Sequence, residues 1–161
     1  MVSWKEFERR APEMAEAGKK LLYQFGPGLA FLATVRKDGA PRLHPICPTV
    51  VDDRLYALIL PSSPKCGDLK RDGRYALHTF TPKDRDDEFL VMGRAAFVDD
   101  PAREARVRQD QVARGMKSSE DEALFGFEID RVMYAKYPGG HGTFPPKYTV
   151  WRADRFAPRR D

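Results

Sequence analysis

Apolar and polar positions follow two different periods along the chain, a helical one near the amino terminus and a strand-like one after it. Between residues 3 and 23 the apolar side chains recur every three or four positions, which predicts an amphipathic helix. Ser3 and Glu6 are spaced as in a capping box, which favours a helix start at this point. Because Pro12 falls inside the pattern, the segment is expected to form either two short helices or one kinked helix.

Short apolar or β-branched runs separated by tight turns fill residues 28–99, and the same pattern returns after residue 123. The predicted strands cover residues 29–36, 41–51, 54–60, 74–81, 88–98, 124–137 and 147–152. Gly93 interrupts one of these runs and is expected to form a bulge. Successive antiparallel strands joined by tight turns favour a mainly β fold, a barrel of six or seven antiparallel strands with helices outside it.

Two further helices are predicted between the strands. One is a short helix at 64–71, and the other begins after Asp100, a capping residue, and extends to about residue 114. A chain of 161 residues has the size of one ordinary domain. We therefore expect a single domain with a helical segment at 1–25, core strands at 28–99, a second helical segment at 100–122, and closing strands with a tail at 124–161.

Charge and composition narrow the classes of function. The net charge of +4 comes from 28 basic and 24 acidic residues, a surplus too small and too dispersed to predict nucleic-acid binding. No apolar run approaches the ~20 residues that span a bilayer, and the first residues lack the apolar core of a signal peptide, so a cytoplasmic protein without a membrane partner is expected. Cys47 and Cys66 are expected to be free thiols. The three histidines and two cysteines are not spaced as metal ligands, so no metal site is predicted.

The segment Ser62-Ser63-Pro64-Lys65 joins a predicted strand directly to a predicted helix. The first turn of a helix presents unpaired N–H groups and the positive end of the helix dipole, and nearby hydroxyl and ammonium groups can complete a pocket for a phosphate. The same four residues also fit a serine-capped helix with proline in its first turn and the lysine in solvent. Both interpretations stand at this point.

The order of these elements resembles the pyridoxamine 5'-phosphate oxidase-like split-barrel flavoproteins. The resemblance covers residues 32–98, with a further similarity to the oxidases at residues 151–158. The segments that carry it are residues 33–41, 55–56, 63–65, 69–77 and 91–95. It implies a split β-barrel that forms a homodimer and holds a flavin nucleotide in each of two clefts between the subunits. In such a site the flavin carries the electron chemistry, and the protein supplies position and electrostatics.

The resemblance also implies a set of cofactor-binding residues. Ser63 and Lys65 match the phosphate-binding serine and lysine of the family, and Ser62 adjoins them. Leu58 and Ile59 match the strand end along the flavin ring. The remaining three candidates replace other residue types: His44 stands where the oxidases usually have Arg, Thr49 where they have Lys, and Glu88 near where they have Gln. A neutral histidine binds phosphate less strongly than arginine does, so these replacements leave the identity of the cofactor open. FMN is the first cofactor expected, and the deazaflavin F420 and haem are the alternatives.

The substrate region departs further from the oxidases. They carry an Arg-x-His motif before the last strand, whereas residues 137–146 here contain His141 without that arginine, which argues against pyridoxine phosphate as the substrate. His141 is expected either in a mobile lid or in an exposed loop. The resulting interpretation is an FMN-binding oxidoreductase acting on an unidentified small organic substrate. The alternatives are an F420-dependent reductase and a non-catalytic carrier or sensor of flavin or haem.

Overall fold

The computed structural model describes residues 1–117, 119 and 121–153, so the predicted tail from residue 154 onward lies outside the described residues. The helices of this part are α1 (Trp4–Arg10), α2 (Pro12–Leu22), α3 (Pro64–Arg71) and α4 (Pro101–Ala113). No helix in the described part of the chain has both the length and the apolar character needed to cross a membrane.

The strands form one antiparallel sheet. They are β1 (Ala30–Val35), β2 (Pro41–Ile46), β3 (Thr49–Val51), β4 (Arg54–Ile59), β5 (Arg74–Thr79), β6 (Glu88–Phe97), β7 (Ala123–Lys136) and β8 (Lys147–Arg152). Their order is β2-β1-β5-β6-β7-β4-β3, with β8 paired to β7. The long strand β7 pairs with β4 near its start, with β8 near its end and with β6 along most of its length. The sheet curls into a half-barrel with flanking helices, which confirms the predicted mainly β, split-barrel fold.

The strand predicted at 41–51 is divided in the structure. Pro48 has no N–H group to donate and restricts Cys47, so the ladder between β1 and β2 ends at Ile46. The chain then crosses to the other edge of the sheet, where β3 pairs with β4. Gly28 makes this crossing possible, because a Cβ atom there would lie 1.8 Å from the carbonyl oxygen of Pro48. Because of this division the described part of the chain has eight strands, where the sequence pattern predicts six or seven.

The irregularity predicted at Gly93 is present, but the extra residue of the bulge is Asp130 on β7 and not a residue of β6. The register between β6 and β7 shifts between Met92 and Gly93, since Met92 pairs with Arg131 and Gly93 with Ile129. A Cβ atom at Gly93 would lie 2.0 Å from the carbonyl oxygen of Glu128, so only glycine fits this close approach. Asp130 has no partner on β6, so the bulge bends β7 opposite Gly93 and helps the sheet to curl.

The amino-terminal segment forms two helices, as Pro12 allows. Ser3 caps α1, because its hydroxyl oxygen accepts a hydrogen bond from the Glu6 backbone N–H at 3.4 Å. The Glu6 carboxylate pairs instead with Arg9 at 2.7 Å and Arg10 at 2.6 Å, so only one half of the predicted capping box forms. The helices bury Trp4 and Phe7. Phe7 packs against Trp151 of β8 with ring centroids 5.0 Å apart, which fixes the helical segment against the barrel.

Candidate functional site

The turn between β4 and α3 forms the corner predicted from Ser62-Ser63-Pro64-Lys65. The Ser63 N–H donates to the carbonyl oxygen of Leu60 at 2.9 Å, so the chain turns tightly into the helix. Ser63 occupies the N-cap position, but its side chain makes no capping hydrogen bond. Its hydroxyl oxygen instead accepts from the Lys65 Nζ at 3.0 Å. The lysine ammonium is therefore held over the first turn of α3, where an anion would bind.

Two basic side chains face each other across this corner. Burial lowers the pKa of the Lys65 ammonium from its ordinary value. Burial, followed by the charge of Lys65, lowers the pKa of His44 on β2. His44 is consequently neutral near pH 7 and supplies a hydrogen bond rather than a full charge. His44 thus lies near enough to Lys65 to sense its charge, and the part of both residues in cofactor binding stays a prediction.

A cleft of about 180 Å³ opens beside Lys65. Its apolar walls come from the ends of β2 and β4, including Ile46, Leu58 and Ile59. Gln111 on α4 adds a polar group, and its amide donates to the carbonyl oxygen of Cys47 at 2.8 Å. Leu58 and Ile59 thus lie next to Lys65, in the arrangement expected for a ring beside a phosphate pocket. Ser62 is exposed at the rim of the corner.

The orientation of α3 depends on Asp68, which the sequence interpretation missed. This carboxylate is 4% exposed and accepts hydrogen bonds from Arg42 at 2.7 Å and Thr34 at 2.9 Å. Arg71 lies 3.3 Å from its other oxygen. Burial by itself would raise the pKa of Asp68, but these hydrogen bonds outweigh it and hold the pKa below its ordinary value. Asp68 therefore ties α3 to β1 and β2 and fixes the direction of Lys65.

A signal for this network is present in the sequence. Asp68 follows Lys65 by three residues, which places both on one face of a helix. Arg42 precedes His44 by two residues, which places both on one face of a strand. Together these spacings indicate that an acidic anchor and a basic partner accompany the predicted phosphate pocket.

Thr49 lies in a different environment from the corner. Its side chain is 1% exposed, and its hydroxyl donates to Asp110 of α4 at 2.5 Å and lies 3.1 Å from the Tyr23 hydroxyl. Arg114 also pairs with Asp110 at 3.0 Å. Thr49 thus links β3 to two helices, and its proposed part in cofactor binding stays a prediction.

Glu88 lies far from the corner within one chain. It pairs with Ala135 near the end of β7, whereas Ile59 pairs with Ala123 at the start of the same strand. The Glu88 carboxylate accepts from the Tyr137 hydroxyl at 3.0 Å and lies 3.4 Å from the His78 ring. The hydrogen bond to Glu88 raises the pKa of Tyr137 to about 12. Glu88 therefore belongs to a second polar cluster at the opposite end of the sheet.

The loop before β8 closes onto this second cluster. His141 Nδ1 lies 2.7 Å from Asp86, and the Gly142 N–H donates to the other oxygen of that carboxylate at 2.7 Å. Phe144 packs edge-on against Tyr137 with ring centroids 5.7 Å apart. In this structure His141 is exposed and contacts the β5–β6 loop, not the Lys65 corner.

One face of the sheet is largely apolar. The strand register links Phe31, His78, Leu90 and Met133 in one cross-strand row over β1, β5, β6 and β7, and Met92 lies in the neighbouring row. Leu43 on β2 is 63% exposed on this face. We call this the outer face of the sheet; Leu32 and Val91 point to the opposite side and are buried in the core.

The described residues contain no group of three or more histidine, cysteine, aspartate or glutamate side chains that would hold a metal ion. Cys47 and Cys66 are free thiols, as expected. Burial raises the pKa of the Cys47 thiol, which keeps it protonated.

The sequence of the chain matches a known protein family. A family model described as pyridoxamine 5'-phosphate oxidase matches residues 16–136, about three quarters of the chain. The chain belongs to this family. The matched segment includes the Lys65 corner, the Asp68 anchor and all the strands except β8. A search of curated protein sequences finds no match.

Solved structures share the fold at low sequence identity. A haem-binding protein from Mycobacterium smegmatis aligns with a TM-score of 0.63 and 14% identity, over 84% of this chain and 57% of that protein. A nimC/nimA family protein from Clostridium acetobutylicum aligns with a TM-score of 0.58 and 16% identity, over 86% of this chain and 92% of the other. General stress protein 26 from Bacillus anthracis aligns with a TM-score of 0.57 and 18% identity, over 83% and 98% respectively. The chain thus spans little more than half the length of the haem-binding protein, and these likenesses establish the fold alone.

Proposed function

We propose that this member of the pyridoxamine 5'-phosphate oxidase family binds FMN and acts as an oxidoreductase on a small organic substrate. One observation carries the proposal: the Lys65 ammonium is held by Ser63 at the first turn of α3, directly beside the cleft formed by Leu58 and Ile59. A cationic corner beside a cleft with apolar walls at Leu58 and Ile59 and polar groups at Gln111, Lys117 and Glu122 suits the two chemical parts of a flavin nucleotide, a phosphate and a polar-edged ring.

The donor groups of the corner fit a phosphate. Lys65 gives one hydrogen bond to Ser63 and keeps further protons for a ligand, and the Ser62 hydroxyl is exposed. Access to the helix backbone is open, because a Cβ atom added at Gly67 would meet nothing within 4 Å. In this proposal Ser62, Ser63 and Lys65 bind the phosphate, while neutral His44 donates a hydrogen bond to it.

The apolar cleft serves the ring. Leu58 and Ile59 bound the ring on the β4 side and exclude water from it. The isoalloxazine, when bound, supplies the transfer of a hydride or an electron pair. The residues of the chain act by positioning the ring and by leaving one side open to a substrate.

We include a homodimer in the proposal. The outer face offers Leu43 and its apolar neighbours to a second copy, and proteins of this fold are typically dimers. Within one chain, Glu88 and the Lys65 corner lie at opposite ends of β7. Glu88 can therefore contribute to cofactor binding at this corner only from a second subunit. A reducing cytoplasm fits the two free thiols. The loop around His141 keeps pyridoxine phosphate disfavoured as the substrate.

Cofactor titration tests the proposal. The purified protein should carry or take up FMN, seen as flavin absorbance and as quenching of flavin fluorescence. Replacing Lys65 with Met should weaken FMN binding by about tenfold to a hundredfold, since a charge-assisted hydrogen bond contributes about 1.5–3 kcal/mol. Lys70→Met is the matched control, because Lys70 is exposed on the same helix and lies over Phe97, away from the corner. The proposal would be overturned if the protein did not bind FMN, or if Lys70→Met weakened FMN binding as much as Lys65→Met.

Haem binding without turnover is the second candidate. The observation in its favour is the lowered pKa of His44, because the neutral imidazole is the form that coordinates iron. A Soret band that persists in the purified protein and disappears in His44→Ala would favour haem. Flavin absorbance that survives this substitution would favour the first candidate. F420 is distinguished from FMN by its own absorption and by mass spectrometry of the released cofactor.

A further inference from the structure

Gln111 is the most deeply buried of the polar side chains that line the cleft beside Lys65, with 6% of the residue exposed. It lies on the buried face of α4, one turn after Val107. Val107 belongs to an apolar cluster that also contains Tyr56 and Leu58 of β4, so this face of the helix is fixed against the sheet. A glutamine at such a position is informative, because a buried polar side chain needs partners for its hydrogen bonds.

The orientation of the Gln111 amide is set by the backbone at the crossing between β2 and β3. Its Nε2 lies 2.8 Å from the carbonyl oxygen of Cys47. A carbonyl oxygen only accepts hydrogen bonds, so the group that faces it is the amide NH2 and not the side-chain oxygen. This contact uses one N–H of the amide. The second N–H and the Oε1 atom have no hydrogen-bond partner among the described residues.

The unused groups of Gln111 face the cleft. The fully enclosed side-chain nitrogen and oxygen atoms without a partner belong to other residues, such as Tyr56 and Trp151, so Oε1 of Gln111 keeps some accessible surface. Since Gln111 lines the cleft of about 180 Å³, that surface opens into it. The cleft thus holds a neighbouring acceptor and donor in a fixed orientation. A ligand that supplies both partners makes the hydrogen bonds that folding leaves unmade.

The charges near Gln111 favour a neutral ligand group. Lys117 and Glu122 also line the cleft, and their charges are opposite. Glu122 lies 3.4 Å from Arg108 as well. The α4 side of the cleft therefore differs from the Lys65 corner, which suits an anion. A carboxamide matches a neutral edge on which an N–H stands next to a carbonyl group, because Oε1 accepts from the N–H while the amide N–H donates to the carbonyl.

We propose that Gln111 is a specificity-determining residue that binds the dione edge of the flavin ring, where the N3–H group stands between two carbonyls. The inference rests on the proposed flavin-nucleotide function and adds an orientation to it: the phosphate lies at Lys65 and the dione edge points to α4. The apolar side chains of Leu58 and Ile59 do not distinguish one edge of the ring from another, whereas a two-point contact with Gln111 does. F420 carries the same edge, and haem does not.

N3-methyl-FMN tests this contact, because it differs from FMN only by a methyl group in place of the N3 hydrogen. Both ligands are titrated into the wild-type full chain, and binding is followed by quenching of flavin fluorescence. We expect FMN to bind at least about tenfold more tightly, since the analogue cannot donate to Oε1 and its methyl group meets the amide. Equal affinities for the two ligands would overturn the inference.

Gln111→Met removes both hydrogen-bonding groups and keeps the length of the side chain. This variant should bind FMN and N3-methyl-FMN about equally tightly. Gln109→Met is the matched control, because Gln109 is exposed on the same helix, and it should keep the wild-type preference. Loss of the hydrogen bond to Cys47 alone would weaken both ligands alike, so the ratio of the two affinities is decisive. A preference for FMN that survives Gln111→Met would overturn the inference.

Lumichrome separates the two possible failures, because it carries the same dione edge without the ribityl phosphate. If the wild type binds neither FMN nor N3-methyl-FMN, the proposed function fails, and lumichrome then decides on Gln111 by itself. Lumichrome binding that is lost in Gln111→Met and kept in Gln109→Met would support the contact without a nucleotide. Lumichrome binding that is absent, or that Gln111→Met leaves unchanged, would overturn it.

Discussion

Two buried carboxylates organise opposite ends of the molecule, and they do so with different partners. Asp68 is 4% exposed and is surrounded by the cationic side chains of Arg42 and Arg71. Asp87 is 3% exposed and accepts from the Tyr137 N–H at 2.8 Å and the Tyr134 hydroxyl at 3.2 Å. One corner therefore concentrates positive charge, and the other is held by neutral donors.

The charge of the partners distinguishes the corner at Asp68, which suits an anion, from the corner at Asp87, which holds a loop in place. Arg42 and Arg71 together exceed the charge of Asp68, so the surroundings of this carboxylate suit the anion that we propose at the Lys65 corner. The neutral donors around Asp87 hold the β5–β6 loop against the end of β7. Arg85, 3.7 Å from Asp87, lies on its exposed rim. A buried acid by itself does not mark a ligand site; the charge of its partners does.

Removing the charge of each buried carboxylate gives the largest expected difference in the free energy of unfolding. Asp68→Asn should lower the free energy of unfolding by about 3 kcal/mol, the lower end of the cost of breaking a buried ion pair, because both arginines are partly exposed. Asp87→Asn should cost about 1–2 kcal/mol, since its main partners are neutral. Urea unfolding followed by tryptophan fluorescence measures both.

Glu16→Gln provides the control, because the pair between Glu16 and Lys20 is exposed, and its unfolding midpoint should not move. An Asp87→Asn variant less stable than Asp68→Asn would reverse the contrast between the two corners.

Lowering the pH should remove the difference in the free energy of unfolding between the wild type and Asp68→Asn. The pKa of Asp68 is below its ordinary value of 3.8 in the folded protein, so its contribution to stability is present above that value. The contribution is lost as the pH falls through the folded-state pKa, because the folded and unfolded carboxyls are then both protonated. Unfolding of wild type and Asp68→Asn between pH 7 and pH 3 should show a constant gap down to about pH 4 and a narrowing gap below it. A gap that widens in acid would contradict the lowered pKa.

The smallest effect is a titration at the opposite end of the sheet. The hydrogen bond to Glu88 raises the pKa of Tyr137 to about 12, so ultraviolet titration of wild type minus Tyr137→Phe should show a midpoint near that value. In Glu88→Gln the midpoint should move down towards the ordinary 10. Because the folded state keeps this proton longer than the unfolded state does, the stability from Tyr137 declines as the pH rises from 10 towards 12. A midpoint unaffected by Glu88→Gln would remove Glu88 from the cluster.

Local signals allowed the Lys65 corner to be predicted. Proline in the first turn and serine before it set the bounds of α3, which the structure gives as Pro64–Arg71. His44, Leu58 and Ile59 are assigned to the site by the resemblance to the family and not by a local pattern. Only the corner at Ser62, Ser63 and Lys65 and the bounds of α3 follow from residues close to one another along the chain.

Long-range pairing decided the rest. Glu88 lies at the far end of β7 because the register between β6 and β7 places it opposite Ala135. No local pattern in the sequence reveals that register. Thr49 turns towards Asp110 because Pro48 redirects the chain to β4 before it. The Asp68 network joins residues up to 34 positions apart. The spacings of Asp68 to Lys65 and of Arg42 to His44 indicate that an acid and a base accompany the corner, but the pairing of β2 with α3 across this separation depends on the assembled sheet.

Among the residues that the structure describes, the crossing at Cys47 and Pro48 leaves β2 and β3 at the two ends of the sheet, each with one edge that pairs with no other strand. The proposed ring lies beside this seam, with β2 and β4 on its two sides. A bound cofactor would contact both β2 and β4 and so connect the two sides of the cleft, which are not joined by backbone hydrogen bonds to each other. Loading should therefore slow amide hydrogen exchange along Pro41–Ile46 and Thr49–Val51 more than at the already paired β5 and β6.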